Sequence, residues 1–175
     1  MPPAKKNNPS ALKGKGVPKH KPPDPGEVAR EKMGYWARWS VTNRQHFTYT
    51  EGASRWHMVQ SNPGSLPQFA DCSSFVTGLA KWAGASDPNG LGFRYGYTGT
   101  LLKHCNGIEA AVARMGDLVV FGPGTGSHAA FVLEALPHGD FYLVSHGKPG
   151  DPSRVLYSQM LAYFNGSSRF LRFLS

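Results

Sequence analysis

The residue with the clearest chemical potential is Cys72, which stands in the stretch DCSSFVTGLAKWAG at positions 71–84. The stretch predicts a helix with an apolar face made by Phe75, Val76, Leu79 and Trp82. Asp71 is a suitable N-cap, and Gly84 is typical of a helix end. Because the N-terminus of a helix favours a thiolate over a thiol, we predict that Cys72 is a nucleophile. The alternative is a small, buried and unreactive side chain.

A cysteine nucleophile needs a base, and two of the seven histidines are well placed to supply one. The segments that begin at His128 and end at His146 predict the two strands of a hairpin. A four-residue loop at 136–139 would place His128 opposite position 147, and a slip of one residue would place it opposite His146. We therefore expect His128 to be the base and His146 to orient it.

The acidic residues near this hairpin are less well placed to orient the base. Asp140 follows the loop, so it would lie about 20 Å along the strand from His128. Asp151 stands in a loop after the second strand and is a weaker candidate. We predict that Asp140 is not the third catalytic residue.

The elements that must position these residues change in type along the chain. A helix is predicted from Asp24 to about Arg44, and residues 46–70 have the composition of a loop. After the helix of Cys72, short helical turns are predicted at 100–104 and 108–114. Strands are predicted at 117–121, 128–134, 141–146 and 155–157, followed by a helix at 158–164 and a strand at 169–174. Helices followed by an antiparallel meander indicate an α+β fold.

Composition excludes several classes of protein. No apolar run approaches the roughly 18 residues of a membrane span, and we expect no signal peptide. Cys72 and Cys105 make neither a disulfide framework nor a zinc motif, so we expect no metal and no cofactor. The net charge is +8, of which residues 1–25 carry +5 and the remainder +3. We interpret 1–23 as a disordered basic tail and 24–175 as one domain, and expect no nucleic-acid partner.

Four short motifs, in order, resemble those of NlpC-type cysteine peptidases, which cleave the stem peptides of bacterial cell walls. DCSSFV at 71–76 resembles the motif around the family's catalytic cysteine. GDLVVF at 116–121 and SHAAFV at 127–132 resemble its GDL strand and its histidine strand. VSH at 144–146 resembles the strand of its third catalytic residue. Tyr49 stands where the family has a tyrosine before the cysteine helix, and the resemblance covers about 47–157.

This resemblance implies a papain-like NlpC-type fold, in which the cysteine helix packs on an antiparallel sheet. It implies Cys72, His128 and His146 as the catalytic residues. The backbone N–H of Cys72 and the hydroxyl of Tyr49 would stabilise the oxyanion. Asp71 and Ser73 would hold the stem peptide, although Asp71 could equally be a plain N-cap and Tyr49 a core aromatic.

The sequence also departs from the family pattern. Ser74 and Ala130 stand where glycine is common, and the hairpin between the two histidines is longer than usual. The form YTEG at 49–52 resembles the peptidase modules of endolysins from phages that infect actinobacteria. The resemblance thus implies an enzyme that stays in the host cytoplasm until lysis and then reaches the cell wall, and we expect it to be a monomer.

Other functions are weighed against this one. A CHAP-type amidase or endopeptidase usually has glutamine before the cysteine and glutamate or asparagine as its third residue, unlike Asp71 and His146. Lipid acyltransferases of related fold have the histidine before the cysteine. A non-catalytic wall-binding module or a nucleic-acid binder would not need Cys72, His128 and His146 together.

Deleting residues 1–23 is expected to leave the melting temperature nearly unchanged, because this segment has almost no apolar side chains to bury. Thermal unfolding of the full-length and shortened chains checks this expectation. A drop of many degrees would show that the tail packs on the domain.

Overall fold

The computed structural model describes residues 23–148 and 151–174, which form five α-helices and eight β-strands. The helices are α1 (Pro25–Thr42), α2 (His57–Gln60), α3 (Cys72–Ala83), α4 (Thr98–His104) and α5 (Tyr157–Tyr163). The strands are β1 (Phe47–Tyr49), β2 (Gln68–Ala70), β3 (Asn106–Ile108), β4 (Leu118–Phe121), β5 (His128–Ala135), β6 (Phe141–Ser145), β7 (Ser153–Leu156) and β8 (Ser168–Arg172). No helix in this part of the chain is long and apolar enough to cross a membrane.

Six of the strands form one antiparallel sheet in the order β3-β8-β4-β5-β6-β7, and β1 and β2 form a separate parallel pair. Side chains alternate between the two faces of a sheet, so each face has its own core. Helices α1 and α3 cover the face that carries Ala129, Phe131 and Val144. Helix α5 covers the opposite face, where Ala130 and Leu143 are buried.

The structure confirms the α+β class and the papain-like arrangement, in which the helix that begins at Cys72 packs on an antiparallel sheet after an initial helix. Asp24 caps α1 as predicted, accepting a hydrogen bond from the Gly26 N–H at 2.8 Å. One prediction was wrong, since residues 46–70 contain β1, α2 and β2. The turn predicted at 108–114 contains a 3-10 helix at Ala110–Val112, and the strand β3 before it, which pairs with β8, was not predicted. The predicted tail lies outside the described residues except for residue 23.

A buried ion pair connects α1 to the sheet. Arg30 is almost fully buried, and its guanidinium donates to Asp117 Oδ1 at 3.0 Å and to the Leu174 carbonyl at 2.6 Å. Arg172 donates to the same carboxylate from β8, at 2.9 and 2.7 Å. Gly116 has a φ of +95°, and a Cβ there would lie 2.6 Å from Arg30 Cγ, so the motif needs glycine at this position. The Gly-Asp pair at 116–117 therefore has a structural role.

The pairing of β5 with β6 determines where the two histidines point. Ala130 lies opposite Ser145, and a bulge between Val132 and Glu134 shifts the register nearer the turn. The strands therefore direct His128 towards Gly147, where an added Cβ would lie 2.8 Å from the His128 ring. The slipped register that would place His128 opposite His146 does not occur, so that expectation was wrong.

Asp117→Asn is expected to lower the free energy of unfolding by about 3–5 kcal/mol, because it leaves the buried Arg30 without a counter-charge. Urea unfolding of the variant and the parent protein measures this loss. Asp140→Asn is the matched control, since the Asp140 carboxylate hydrogen-bonds to Ser158 in an exposed position. Equal stability losses in the two variants would contradict the importance of the ion pair.

Candidate active site

The N-terminus of α3 is capped by side chains on both sides of Cys72. Asp71 Oδ1 accepts hydrogen bonds from the Ser74 N–H at 2.7 Å and from the Ser73 hydroxyl at 2.9 Å. The Ser74 hydroxyl accepts in return from the Asp71 N–H at 2.9 Å, which completes a capping box. This cap places Cys72 as the first residue of the helix, as the sequence predicted.

The Cys72 thiol lies against β5, where the N–H of Ala129 is one of its neighbours. Burial and the negative charge of Asp71 raise the pKa of Cys72 to about 11. The N–H groups of Ala129, Ser73 and Cys72 itself oppose this increase without cancelling it. The side chain is therefore a thiol at neutral pH, and a base must remove its proton before it can attack.

The His128 ring lies on the sheet face covered by α5. Its Nε2 is hydrogen-bonded to Ser145 Oγ at 2.8 Å, and the ring stacks on Phe164 with centroids 5.6 Å apart and planes 10° apart. Burial lowers the pKa of His128 to about 4, with Asp151 opposing the decrease and His146 contributing to it. The imidazole is thus neutral at physiological pH and able to accept a proton.

A cavity of about 280 Å³ opens beside this ring. Asp151, which sequence reasoning gave little weight, is buried at its wall and accepts hydrogen bonds from the Gly147 N–H at 3.1 Å and the Ser153 hydroxyl at 2.6 Å. The apolar side of the wall is made by Val155, Met160 and Phe164. The cavity thus brings a histidine, a serine and a carboxylate together.

His146 lies on the opposite sheet face, which is covered by α3. It is fully buried, with ring centroids 5.4 Å from Phe75, 5.6 Å from Tyr49 and 6.1 Å from Phe47. Burial lowers its pKa, and Asp151 and nearby backbone carbonyls oppose the decrease. Within residues 23–148 and 151–174, neither ring nitrogen makes a hydrogen bond, so the expected bond to His128 is absent. Adjacent positions on a strand face opposite ways, which explains why Ser145, and not His146, contacts His128.

Tyr49, Asp71 and Ser73, which were predicted to bind the substrate or the oxyanion, make hydrogen bonds within the protein. The Tyr49 hydroxyl donates to Glu51 at 2.9 Å, and burial together with this bond raises the pKa of Tyr49. Asp71 caps α3 and forms an ion pair with Arg55 through Oδ2. Ser73 is buried and donates to Asp71. Roles of these side chains in binding a substrate stay predictions.

Sequence reasoning missed two residues that shape this region. Ser145 contacts His128 directly. The hairpin register that places His128 opposite position 147 also puts Ser145 on the same sheet face as His128, and this was the signal that could have found it. Arg55 binds Asp71 and also donates to the Gly96 carbonyl at 3.1 Å. No local pattern marks Arg55, because its partners lie 16 and 41 residues away.

Comparison with known proteins identifies the fold. The sequence matches no protein-family model and no curated protein. Rv1477 of Mycobacterium tuberculosis, called a hypothetical invasion protein, is 15% identical with a TM-score of 0.52, over 97% of this chain and 71% of its own. The peptidoglycan hydrolase RipB (Rv1478) of the same organism is 18% identical with a TM-score of 0.30, over 77% and 83%. The chain shares the fold of Rv1477, whereas the TM-score with RipB is too low to support a conclusion about fold.

Acidification is expected to destabilise the protein through His128. The unfolded chain binds a proton on this histidine near pH 6.5, whereas the folded chain does so only near about 4. The unfolded state therefore holds more protons in this interval, and the free energy of unfolding falls by up to about 3 kcal/mol as the pH drops from 6.5 to 4.

Urea unfolding at several pH values between 4 and 7 measures this dependence. His128→Gln should flatten it, whereas His46→Gln, which removes an exposed imidazole, is the matched control. A slope that is the same in His128→Gln and in the parent protein would contradict the assignment.

Proposed function

We propose that this protein is a cysteine peptidase that hydrolyses the stem peptide of bacterial peptidoglycan. The observation that carries the proposal is the position of Cys72, at the capped N-terminus of α3 with its thiol beside β5. The next residue along β5 from the thiol's neighbour Ala129 is the neutral imidazole of His128. The proposed nucleophile and the proposed base are thus both located at the start of β5, and their order along the chain is the one expected of such a peptidase.

In the proposed reaction, His128 takes the proton of the thiol and Cys72 attacks the scissile carbonyl. His128 then returns the proton to the leaving amine, and water hydrolyses the thioester. In the described residues the thiol makes no hydrogen bond to either imidazole. Catalytic hydrogen bonds often form only in the complex with substrate, so we propose that substrate binding brings the thiol and the imidazole together.

The substrate class is argued from the motifs and from charge. The four motifs between 71 and 146 resemble those of stem-peptide peptidases, and the shared fold with Rv1477 is compatible with that class. A net charge of +8 favours association with anionic cell-wall polymers. We propose cleavage next to D-glutamate and, from the YTEG form at 49–52, the role of a phage endolysin that acts as a monomer after its release from the host cytoplasm.

Cys72→Ala is expected to abolish wall cleavage while leaving the fold intact, because it removes the nucleophile and little volume. Cys105→Ala is the matched control: this thiol hydrogen-bonds to the Pro88 carbonyl at 3.2 Å, and burial raises its pKa to about 12. Zymography on purified cell wall measures the activity of both variants, and mass analysis of the products identifies the bond.

Three results would overturn the proposal. One is continued cleavage by Cys72→Ala with an inactive Cys105→Ala. Another is an intact stem peptide released from muramic acid, which would identify an amidase instead. The third is wall binding without any product, by parent and variants alike, which would identify a non-catalytic module.

A further inference from the structure

We propose that Ser145, with Asp151 behind it, is the positioning residue of His128, in the place that the sequence suggested for His146. This inference rests on the proposed function, because it concerns the base of the same reaction. It gives a role to two residues for which the resemblance implied none. The argument starts from the hydrogen bond between His128 and Ser145.

The hydrogen bond at Nε2 leaves the other ring nitrogen available. Ser145 Oγ lies 2.8 Å from His128 Nε2, and both side chains are buried. A hydroxyl can accept a hydrogen bond from the ring N–H, and in that direction the hydrogen is on Nε2 and the lone pair is on Nδ1. In the described part of the chain Nδ1 makes no hydrogen bond. With the hydroxyl as acceptor, the bond to Ser145 favours the tautomer in which Nδ1 can accept the proton of the thiol.

The strands hold Ser145 rigidly against the ring. Ser145 pairs with Ala130 on β5 and with Ser153 on β7, so backbone ladders fix it on both sides. It lies on the same sheet face as His128, because positions 128, 130 and 145 share one orientation in this register. The ring itself is held by its stacking on Phe164. An orienting group needs such support to keep a base in one geometry.

Asp151 supplies the charge that a serine lacks. Its carboxylate is buried at the wall of the same cavity and is fixed by the Gly147 N–H and the Ser153 hydroxyl. In the described residues it makes no hydrogen bond to the His128 ring. It therefore acts through space, stabilising the imidazolium that forms when the thiol loses its proton. The hydrogen bond and the charge, which one carboxylate combines in a serine peptidase triad, come here from two residues.

His146 cannot serve as the partner in this geometry. Its ring lies on the other face of the sheet, packed against Phe75 of α3 and the ring of Tyr49. Moving His146 to His128 would require the slipped register, which would turn every side chain of β6 to the wrong face.

The test compares Ser145→Ala, Ser145→Thr and the control Ser158→Ala in the full-length chain. Ser158 offers a matched hydroxyl, which donates to Asp140 at 2.7 Å and makes no hydrogen bond to His128 in the described residues. Nitrogen-15 NMR of the histidine rings reports which nitrogen of His128 carries the hydrogen. Steady-state cleavage of a soluble stem peptide separates kcat from KM, and thermal unfolding monitors the fold.

The parent protein is expected to show the hydrogen on Nε2. Ser145→Ala should lose this preference and lower kcat by roughly 10-fold to 100-fold with little change in KM, as partners that orient a reactive side chain do. Ser145→Thr should restore both the tautomer and most of kcat because it keeps the hydroxyl, and Ser158→Ala should match the parent protein.

Three results would overturn the inference. They are a hydrogen on Nδ1 in the parent protein, an unchanged kcat in Ser145→Ala, and covalent labelling of Ser145 by a fluorophosphonate, which would make it a nucleophile. The proposed function fails separately, when Cys72→Ala still cleaves the wall. The NMR result for Ser145 does not depend on that outcome.

Discussion

The position of α1 on the sheet depends on one buried carboxylate. Asp117 receives Arg30 from α1 and Arg172 from β8, and the Arg30 guanidinium also reaches the Leu174 carbonyl near the end of the chain. Since α3 packs on α1 through Trp82, the helix that carries Cys72 is located by the same contacts. Breaking a buried charge pair is costly, so the pair enforces one arrangement of helix and sheet. The position of Cys72 therefore depends on contacts made by residues about forty positions or more away in the sequence.

Burial shifts the pKa values of Cys72, the proposed nucleophile, and His128, the proposed base, in opposite directions, and both groups are uncharged at neutral pH. It raises the pKa of Cys72 to about 11 and lowers that of His128 to about 4, because each group is kept in its neutral form. A thiolate–imidazolium pair is therefore unfavourable until something supplies compensating charge or hydrogen bonds. Asp71 adds to this effect, since its carboxylate caps α3 beside the thiol and raises the pKa of Cys72.

Elements with strong local signals were predictable from the sequence, whereas the site was predictable only in part. Asp24 and Asp71 are capping residues followed by apolar stripes, and both helices begin where predicted. The parallel pair β1 and β2 was missed because three-residue strands separated by about twenty residues leave no local periodicity. The direction of His146 depends on one bulge near Val132, and a single residue of register reverses which face a side chain occupies.

The sheet register also decides what kind of group can orient the base. Ser145, the last residue of β6, lies on the face of His128 and is the side chain that β6 presents to the ring. Gly147, just beyond the strand, has no side chain to offer. A serine can select a tautomer but cannot balance the charge of an imidazolium, whereas Asp151 in the following loop is the acidic residue with the largest effect on the ring. The loop after β6 is thereby coupled to the base. A substrate that enters the adjoining cavity would change the surroundings of Asp151 and His128 together, which links binding to the ionisation that the cysteine requires.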